Sequence, residues 1–254
     1  MHRFDATMNG VSLSSLDPYV MLADIEEAPA EYTQEVANRA IHPGKRFSAH
    51  VRRSLTVRLK IHITTSNIIA RSRVFDKVAE WVGDGGWLTV LTRPNQRLYV
   101  HPDTLPALGS SLDWTGEIEV ALTAYERPYW EQAWPTVAVI TESGNIVPTG
   151  TLSEAYVEVD AKNVGSGDLT EIIFTCADTK ITLTGLAVPA GEHVIISYTD
   201  ADVMTITAGG VSVLANRTAE SHDDLIAHVR TANAISVTAD QAVSAVFKAR
   251  GRYR

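Results

Sequence analysis

The chain reads as an all-β protein carrying one amphipathic helix, organised as two domains, residues 1–135 and 136–254. Three observations predict this. Apolar and polar residues alternate strictly along residues 54–64, the period of a half-buried strand. One stretch alone, residues 66–82, has convincing helical spacing. Beyond Pro135 the chain offers short β-rich runs separated by turns, with no strong helical period. The length of 254 residues suits one or two domains. A composition of 45% hydrophobic and 20% charged residues supplies two modest cores and argues against global disorder.

The opening alternates short apolar runs with turn signals at Asn9-Gly10 and Asp17-Pro18, and residues 19–25 read as a strand. Residues 26–50 follow, with few large apolar side chains, two prolines and mixed charge. Residues 31–40 could form a helical turn or two, but no apolar stripe would bury it. A long, poorly packed segment inside a compact domain is usually functional or mobile. It is read here as an arm that gains its contacts from another subunit; the alternative is a plain surface loop. The residues expected at that contact, with the polar face of the next strand, are Glu31, Tyr32, Arg39, His42, Lys45, Arg46, Arg58 and Lys60.

In the strand at 54–64, Leu55, Val57, Leu59, Ile61 and Ile63 share one face, and Arg58, Lys60 and His62 share the other. One face is packed and one is wet. Ser66 or Asn67 is placed to cap the helix, and Ile68, Ser72, Phe75, Val78, Ala79 and Val82 fall at helical spacing before Gly83 stops it. Residues 87–91 and 97–100 flank the hairpin loop Arg93-Pro94-Asn95-Gln96. A short connector is expected at 105–108. Residues 117–125 alternate again, and prolines among aromatics at 127–135 read as a stiff boundary. The second half holds eight strand candidates, at 156–159, 171–176, 180–183, 193–198, 203–207, 211–214, 235–238 and 242–247. Regularly spaced short strands predict a β-sandwich. The chain then ends in a basic tail of Lys248, Arg250, Arg252 and Arg254.

Charge excludes one function class. The net charge is -8, divided as 14 Lys/Arg against 16 Asp/Glu up to Pro135 and 8 against 14 after it. Neither half is a basic nucleic-acid module. The basic stripe of Arg58 and Lys60 has no interleaved aromatics to stack bases, so a solvated or salt-bridging face is preferred to nucleic-acid contact. Cys176 is the single cysteine and sits in an apolar run, as a small buried hydrophobe would. The N-terminal sequence lacks the apolar stretch of a secretion signal, and no apolar run is long enough for a spanning helix. No membrane association is expected.

The search for chemistry yields no catalytic, metal or cofactor candidate. No two histidines fall four apart, and His222-Asp223-Asp224 with His228 matches no zinc spacing. Asp200-Ala201-Asp202 lacks the remaining oxygens of a calcium loop. Gly83-Asp84-Gly85-Gly86 follows a helix instead of opening one, so it presents no helix N-terminus to phosphate. Glu117/Glu119 and Asp223/Asp224 read as solvated surface, not as a glycosidase pair. No enzyme activity is expected.

Taken in order, NGVSLSSLDPYVMLADIEE, GGWLTVLTRPNQRLYVH with LPALG after it, LTAYERPYWE, and the terminal VFKARGRYR resemble the distal tail protein of long-tailed, non-contractile bacteriophages. The similarity spans nearly the whole chain. It implies an N-terminal β-barrel-like domain with a flanking helix and a C-terminal galectin-like β-sandwich. It further implies a hexameric ring in the virion that joins the tail tube to the adsorption apparatus. The partners implied are the tail tube, tape-measure and tail-tip hub proteins, with DNA passing through transiently. The competing reading is a stand-alone carbohydrate-binding sandwich, in which Tyr156, Tyr198 or His193 would stack on sugar rings.

Overall fold

The computed structural model describes residues 5–29, 31–38, 45–104, 106, 115–199 and 202–253. Its contacts divide the chain into two compact units, Met1–Tyr129 and Trp130–Arg254. Among the described residues every strand pairing in both is antiparallel, and α1 is the one α-helix, so the fold is all-β.

In the first unit, β1 (Ala6–Met8), β2 (Val11–Ser12), β3 (Val20–Glu27), β4 (Glu31–Asn38) and β5 (Lys45–Thr64) precede helix α1 (Ile68–Val82). Then come β6 (Gly86–Val90), β7 (Gln96–Pro102) and β8 (Thr115–Ala124). They form one sheet in the order β2-β1-β6-β7-β8-β5-β3, with β4 added to β5. The alternation read in the sequence is what the sheet uses: Leu55, Val57, Leu59, Ile61 and Ile63 are buried, as are Ile118, Val120 and Leu122 opposite them. The connector expected at 105–108 lies outside the described residues, Pro106 excepted.

Asn67 caps α1, its side chain accepting from the Ala70 N–H at 2.9 Å. Gly83, at φ 44°, ends the helix with its N–H on the Ala79 carbonyl. The buried face keeps Val78 and Val82 of the expected stripe but is rotated from the rest of it. It consists of Arg71, Val74, Val78, Trp81 and Val82, whereas Ile68 is 44% exposed. Apolar residues occur around much of this helix, so spacing permits two adjacent stripes. The stripe that wins buries Trp81, whose indole N–H donates to the Val11 carbonyl at 2.8 Å. A buried indole requires such a partner.

The second correction concerns residues 31–40. No helical turn forms at 31–38; β4 runs antiparallel to the first half of β5 from Glu31↔Ser54 to Asn38↔Lys45, with two register shifts. A helix there would have had no apolar stripe to bury. Pairing with β5 engages the peptide groups without one.

The second unit is built from β9 (Trp130–Gln132), β10 (Thr136–Ile140), β11 (Ser143–Ile146), β12 (Glu154–Asn163), β13 (Leu169–Cys176), β14 (Thr179–Val188) and β15 (His193–Tyr198). It continues with β16 (Met204–Ala208), β17 (Val211–Ser212), β18 (Ile226–His228), β19 (Asn233–Ala239), β20 (Val243–Ala249) and β21 (Arg252–Tyr253). One sheet runs β10-β20-β12-β15-β16-β17, with β18 on β12; the other runs β11-β19-β13-β14. A single apolar core joins the inward residues of both, including Phe174, Phe247, Val159, Ile196 and Ile235. This is a β-sandwich. Where a strand was expected at 211–214, only Val211–Ser212 pairs, and Leu214–Asn216 closes into a 3-10 turn. β10, β11 and β18 were not among the expected strands, although the β-branched run of β10 is a strand signal in its own right.

Candidate assembly surface

β5 positions the surface. At twenty residues and ~3.3 Å per residue it would span about 66 Å. Its second half is the centre of a sheet: β3 pairs with one edge up to Glu27↔Val57, and β8 with the other up to Leu55↔Ala124. Its first half pairs only with β4 among the described residues. Residues 31–38 and 45–54 therefore form a two-stranded ribbon continuing past the three-stranded region. An isolated two-stranded ribbon is marginally stable in water.

The expected contact residues fall into two groups. Glu31, Tyr32, Lys45 and Arg46 belong to the ribbon, paired with Ser54, Arg52, Asn38 and Ala37 respectively. Arg39 and His42 lie outside the described residues. Arg58 and Lys60 lie on the wet face of the three-stranded region instead. There Arg58 stands 3.9 Å from Glu26 and 3.8 Å from Glu119, and Lys60 stands 3.8 Å from Asp24. These groups are well exposed, so each pair contributes at most about 1 kcal/mol. Glu117 and Glu119, the carboxylates weighed above for acid-base work, are exposed members of this face. The rows read acidic on β3, basic on β5 and acidic on β8. Sequence reasoning saw the basic row; the acidic rows flanking it needed the register.

The second unit holds a feature that the sequence reading missed. The basic end of the chain is stitched into the sandwich. β21 pairs with β9 through Arg252↔Glu131 and Tyr253↔Trp130. The Gly251 carbonyl accepts from the Gln132 N–H at 2.8 Å, and the Arg252 carbonyl accepts from Thr151 and Leu152. Arg250 Nη1 donates to the Gln132 and Ala133 carbonyls. Arg252 Nη2 reaches Asp202 Oδ2 at 3.1 Å, and its guanidinium lies 3.8 Å over the Tyr156 ring. On its other side Tyr156 stacks on Tyr198, centroids 4.5 Å apart and planes within 7°. Partners this far apart in the chain leave no local signal.

That packing bears on the sugar-binding reading. Both faces of Tyr156 are covered. Tyr198 is held by its hydroxyl, which donates to the Leu225 carbonyl and accepts from the Leu225 N–H; burial pushes that phenol up. His193 Nδ1 sits 2.6 Å from Asp160 Oδ1. Tyr156 thus offers no open ring face to a sugar.

Other ionisable groups have local structural roles. His222 Nδ1 accepts from the Lys180 N–H, His228 Nε2 lies 3.2 Å from Asp178, and Asp223 takes Arg217 Nη2 at 3.3 Å. Burial, with the nearby Asp223 and Asp202 carboxylates, raises the pKa of Asp224. Of the calcium-like fragment only Asp202 is described, and it faces Arg252. No group of three or more His, Cys, Asp or Glu able to hold a metal occurs among the described residues. Cys176 is fully buried, and burial with the Asp178 charge pushes its thiol up to about 12, which makes it a poor nucleophile. No helix of the described residues is long and apolar enough to cross a membrane.

No protein-family model matches this chain, and no curated protein matches it. Solved structures do. The Dit (gp 19.1) protein of phage SPP1, described as a paradigm of the hub adsorption apparatus in phages infecting Gram-positive hosts, matches with a TM-score of 0.69 and 12% identity, over 97% of this chain and 98% of that one. A chain of the phage p2 baseplate in its activated conformation with Sr matches with a TM-score of 0.58 and 6% identity, over 97% of each. A chain of the phage P2 baseplate in its activated conformation with Ca matches with a TM-score of 0.54 and 8% identity, over 98% of this chain and 97% of that one. At such identities the likeness is one of fold. This all-β chain has the fold of the phage Dit proteins from end to end.

Proposed function

We propose that this chain is a non-enzymatic structural component of a phage tail tip, whose copies close into a ring. The ring has six members by the resemblance read in the sequence. It joins the tail tube to the adsorption apparatus, contacts the tape-measure and tail-tip hub proteins, and leaves a lumen through which DNA passes. It belongs to the virion and assembles in the host cytoplasm. The observation that supports this best is the match to SPP1 Dit over nearly the full length of both chains. A match of one sandwich alone would carry far less, because sandwiches serve many functions.

The first unit forms the ring in this reading, and the second docks partners. The ribbon of residues 31–38 and 45–54 supplies heterologous contacts of the kind that close rings. Its open edge is a template for strand pairing with another chain. The net charge of -8 suits DNA that passes without sticking.

Native mass measurement of the purified full chain tests this directly. A discrete ring-sized species, six chains for the stoichiometry given, is expected. A chain that stays monomeric at high concentration refutes self-assembly. Replacing residues 32–52 by a tight turn should abolish the ring while both units keep their strand signatures by circular dichroism. Intact rings from that variant would remove the ribbon from the interface.

A further inference from the structure

We infer that Asn9 is a latent self-modification site, at which the Gly10 nitrogen displaces ammonia from the side-chain amide, and that the turn entering β6 holds it unreacted. Asn9-Gly10 is the one Asn-Gly pair in the chain. Its two residues form the whole loop between Met8 and Val11, which pair across the β1–β2 hairpin. With φ at 51° and 84°, both adopt the left-handed conformation of a tight hairpin turn. Both are exposed. Gly10 has no side chain to shield its nitrogen, and no atom lies within 4 Å of where a Cβ would sit. In the reaction the Gly10 nitrogen bonds to Asn9 Cγ, the Cγ–Nδ2 bond breaks, and ammonia leaves with the proton from Gly10. Water then opens the cyclic imide at either carbonyl. The product is aspartate or isoaspartate, and water is the only reagent consumed.

The fold restrains this step through residues 85–87. Asn9 Nδ2 donates to the Gly85 carbonyl at 3.0 Å, and Oδ1 accepts from the Trp87 N–H at 2.9 Å. The Asn9 N–H donates in turn to the Trp87 carbonyl at 2.9 Å. A backbone N–H only donates and a carbonyl only accepts, so the amide is held in one orientation. Ring closure requires that amide to turn toward Gly10 and release its nitrogen, which breaks both side-chain bonds. Their loss slows the reaction roughly thirtyfold relative to a chain in which the amide is free. Gly86 makes the grip possible: at φ 134° it carries no side chain, and a Cβ there would overlap the Asn9 amide. Conversion would undo the grip. A carboxylate has no hydrogen to give the Gly85 carbonyl, and isoaspartate lengthens the turn by one backbone carbon. The hairpin would then loosen from β6, with which Ala6–Met8 pairs, and from α1, whose Trp81 indole donates to the Val11 carbonyl.

Conversion is followed in the full chain at mildly alkaline pH, by chromatography and mass spectrometry of the tryptic peptide containing Asn9. The folded parent should convert at least about tenfold more slowly than the parent unfolded in guanidinium chloride. Gly86→Ala, shown to be folded by its melting curve, should convert in native buffer nearly as fast as the unfolded parent, because the added Cβ evicts the Asn9 amide. Asn9→Asp, which carries the product from the start, should melt below the parent. Equal rates for the folded and unfolded parent overturn the restraint, as does a folded Gly86→Ala chain that converts at the slow parental rate. A folded parent that converts faster than the unfolded one also overturns it, because the Trp87 N–H would then be activating the amide. Should Gly86→Ala fail to fold, the two parental rates decide alone. A parental melting curve for Asn9→Asp overturns the loosening of the hairpin, and an unfolded chain that leaves Asn9 unconverted overturns the site itself.

Discussion

Cutting the link between Arg252 and Asp202 measures how firmly the end of the chain is clamped. The two side chains are only 15% and 16% exposed, so solvent screens them weakly. Arg252→Ala removes a charge-assisted contact and a guanidinium stacked on Tyr156. It also leaves the Asp202 carboxylate without that cation in a mostly buried place. Stacking of this kind contributes about 1–2 kcal/mol, and stranding one partner of a buried pair costs about 3 kcal/mol. Their sum overstates the loss, because water can enter the space that the side chain leaves. A loss of about 3 kcal/mol from the stability of the second unit is expected. Asp202→Asn is the matched change on the other side, because at φ 58° asparagine is tolerated where a branched residue is not. It should cost about 1 kcal/mol. Urea titrations of the parent, both single variants and the double variant, followed by far-ultraviolet circular dichroism, give the coupling energy. It should be about 1–2 kcal/mol. Additive losses within about 0.5 kcal/mol, or an Arg252→Ala cost below about 1 kcal/mol, would refute the clamp.

Gly251→Ala should destabilise the same unit by about 3 kcal/mol or more, because the added Cβ would fall 1.3 Å from the Thr149 carbonyl oxygen; a parental melting curve would contradict that close approach. Asp224 has a raised folded pKa, so the native state holds its proton more tightly than the unfolded chain, and the stability it contributes at low pH is lost as pH rises through the folded value. Asp224→Asn should therefore stabilise the protein at neutral pH, with the gain fading as pH falls below the ordinary carboxylate value; pH-dependent melting would show a constant difference if the reasoning were wrong. Arg93 grips Glu27 with two parallel bonds of 2.6 and 2.7 Å, tying the β6–β7 turn to the end of β3. Arg93→Lys keeps the charge but loses the fork, which should cost about 1 kcal/mol in urea titration. The Cys176 thiol should react with a disulfide reagent only as the protein unfolds, at a rate that follows urea concentration; fast labelling of the native state would contradict its burial.

Much of the architecture was legible because local patterns coincide with what packing needs. Strand alternation at 54–64 survives unchanged as the centre of the first sheet, since a period of two matches one wet and one buried face. Asn67 and Gly83 bounded the helix because capping depends on residues within one turn. The rotation of that helix was not legible. Two stripes compete on it, and the site that receives Trp81 is made by Val11, a remote residue. Residues 31–38 were misread because their composition favours no structure by itself. Only β5, lying beside them, makes a strand the better state.

The order of apolar and polar residues by itself determined an all-β chain with one capped helix and a sandwich in its second half, because those features answer to periods of two and 3.6. The tertiary structure alone decided which charges face each other and where the chain end goes. Asp24, Lys60 and Glu119 become neighbours through strand register, and Arg252 meets Asp202 and Tyr156 through the closing of the sandwich. Such contacts join residues tens of positions apart, where charge and side-chain type restrict the partner but do not select it.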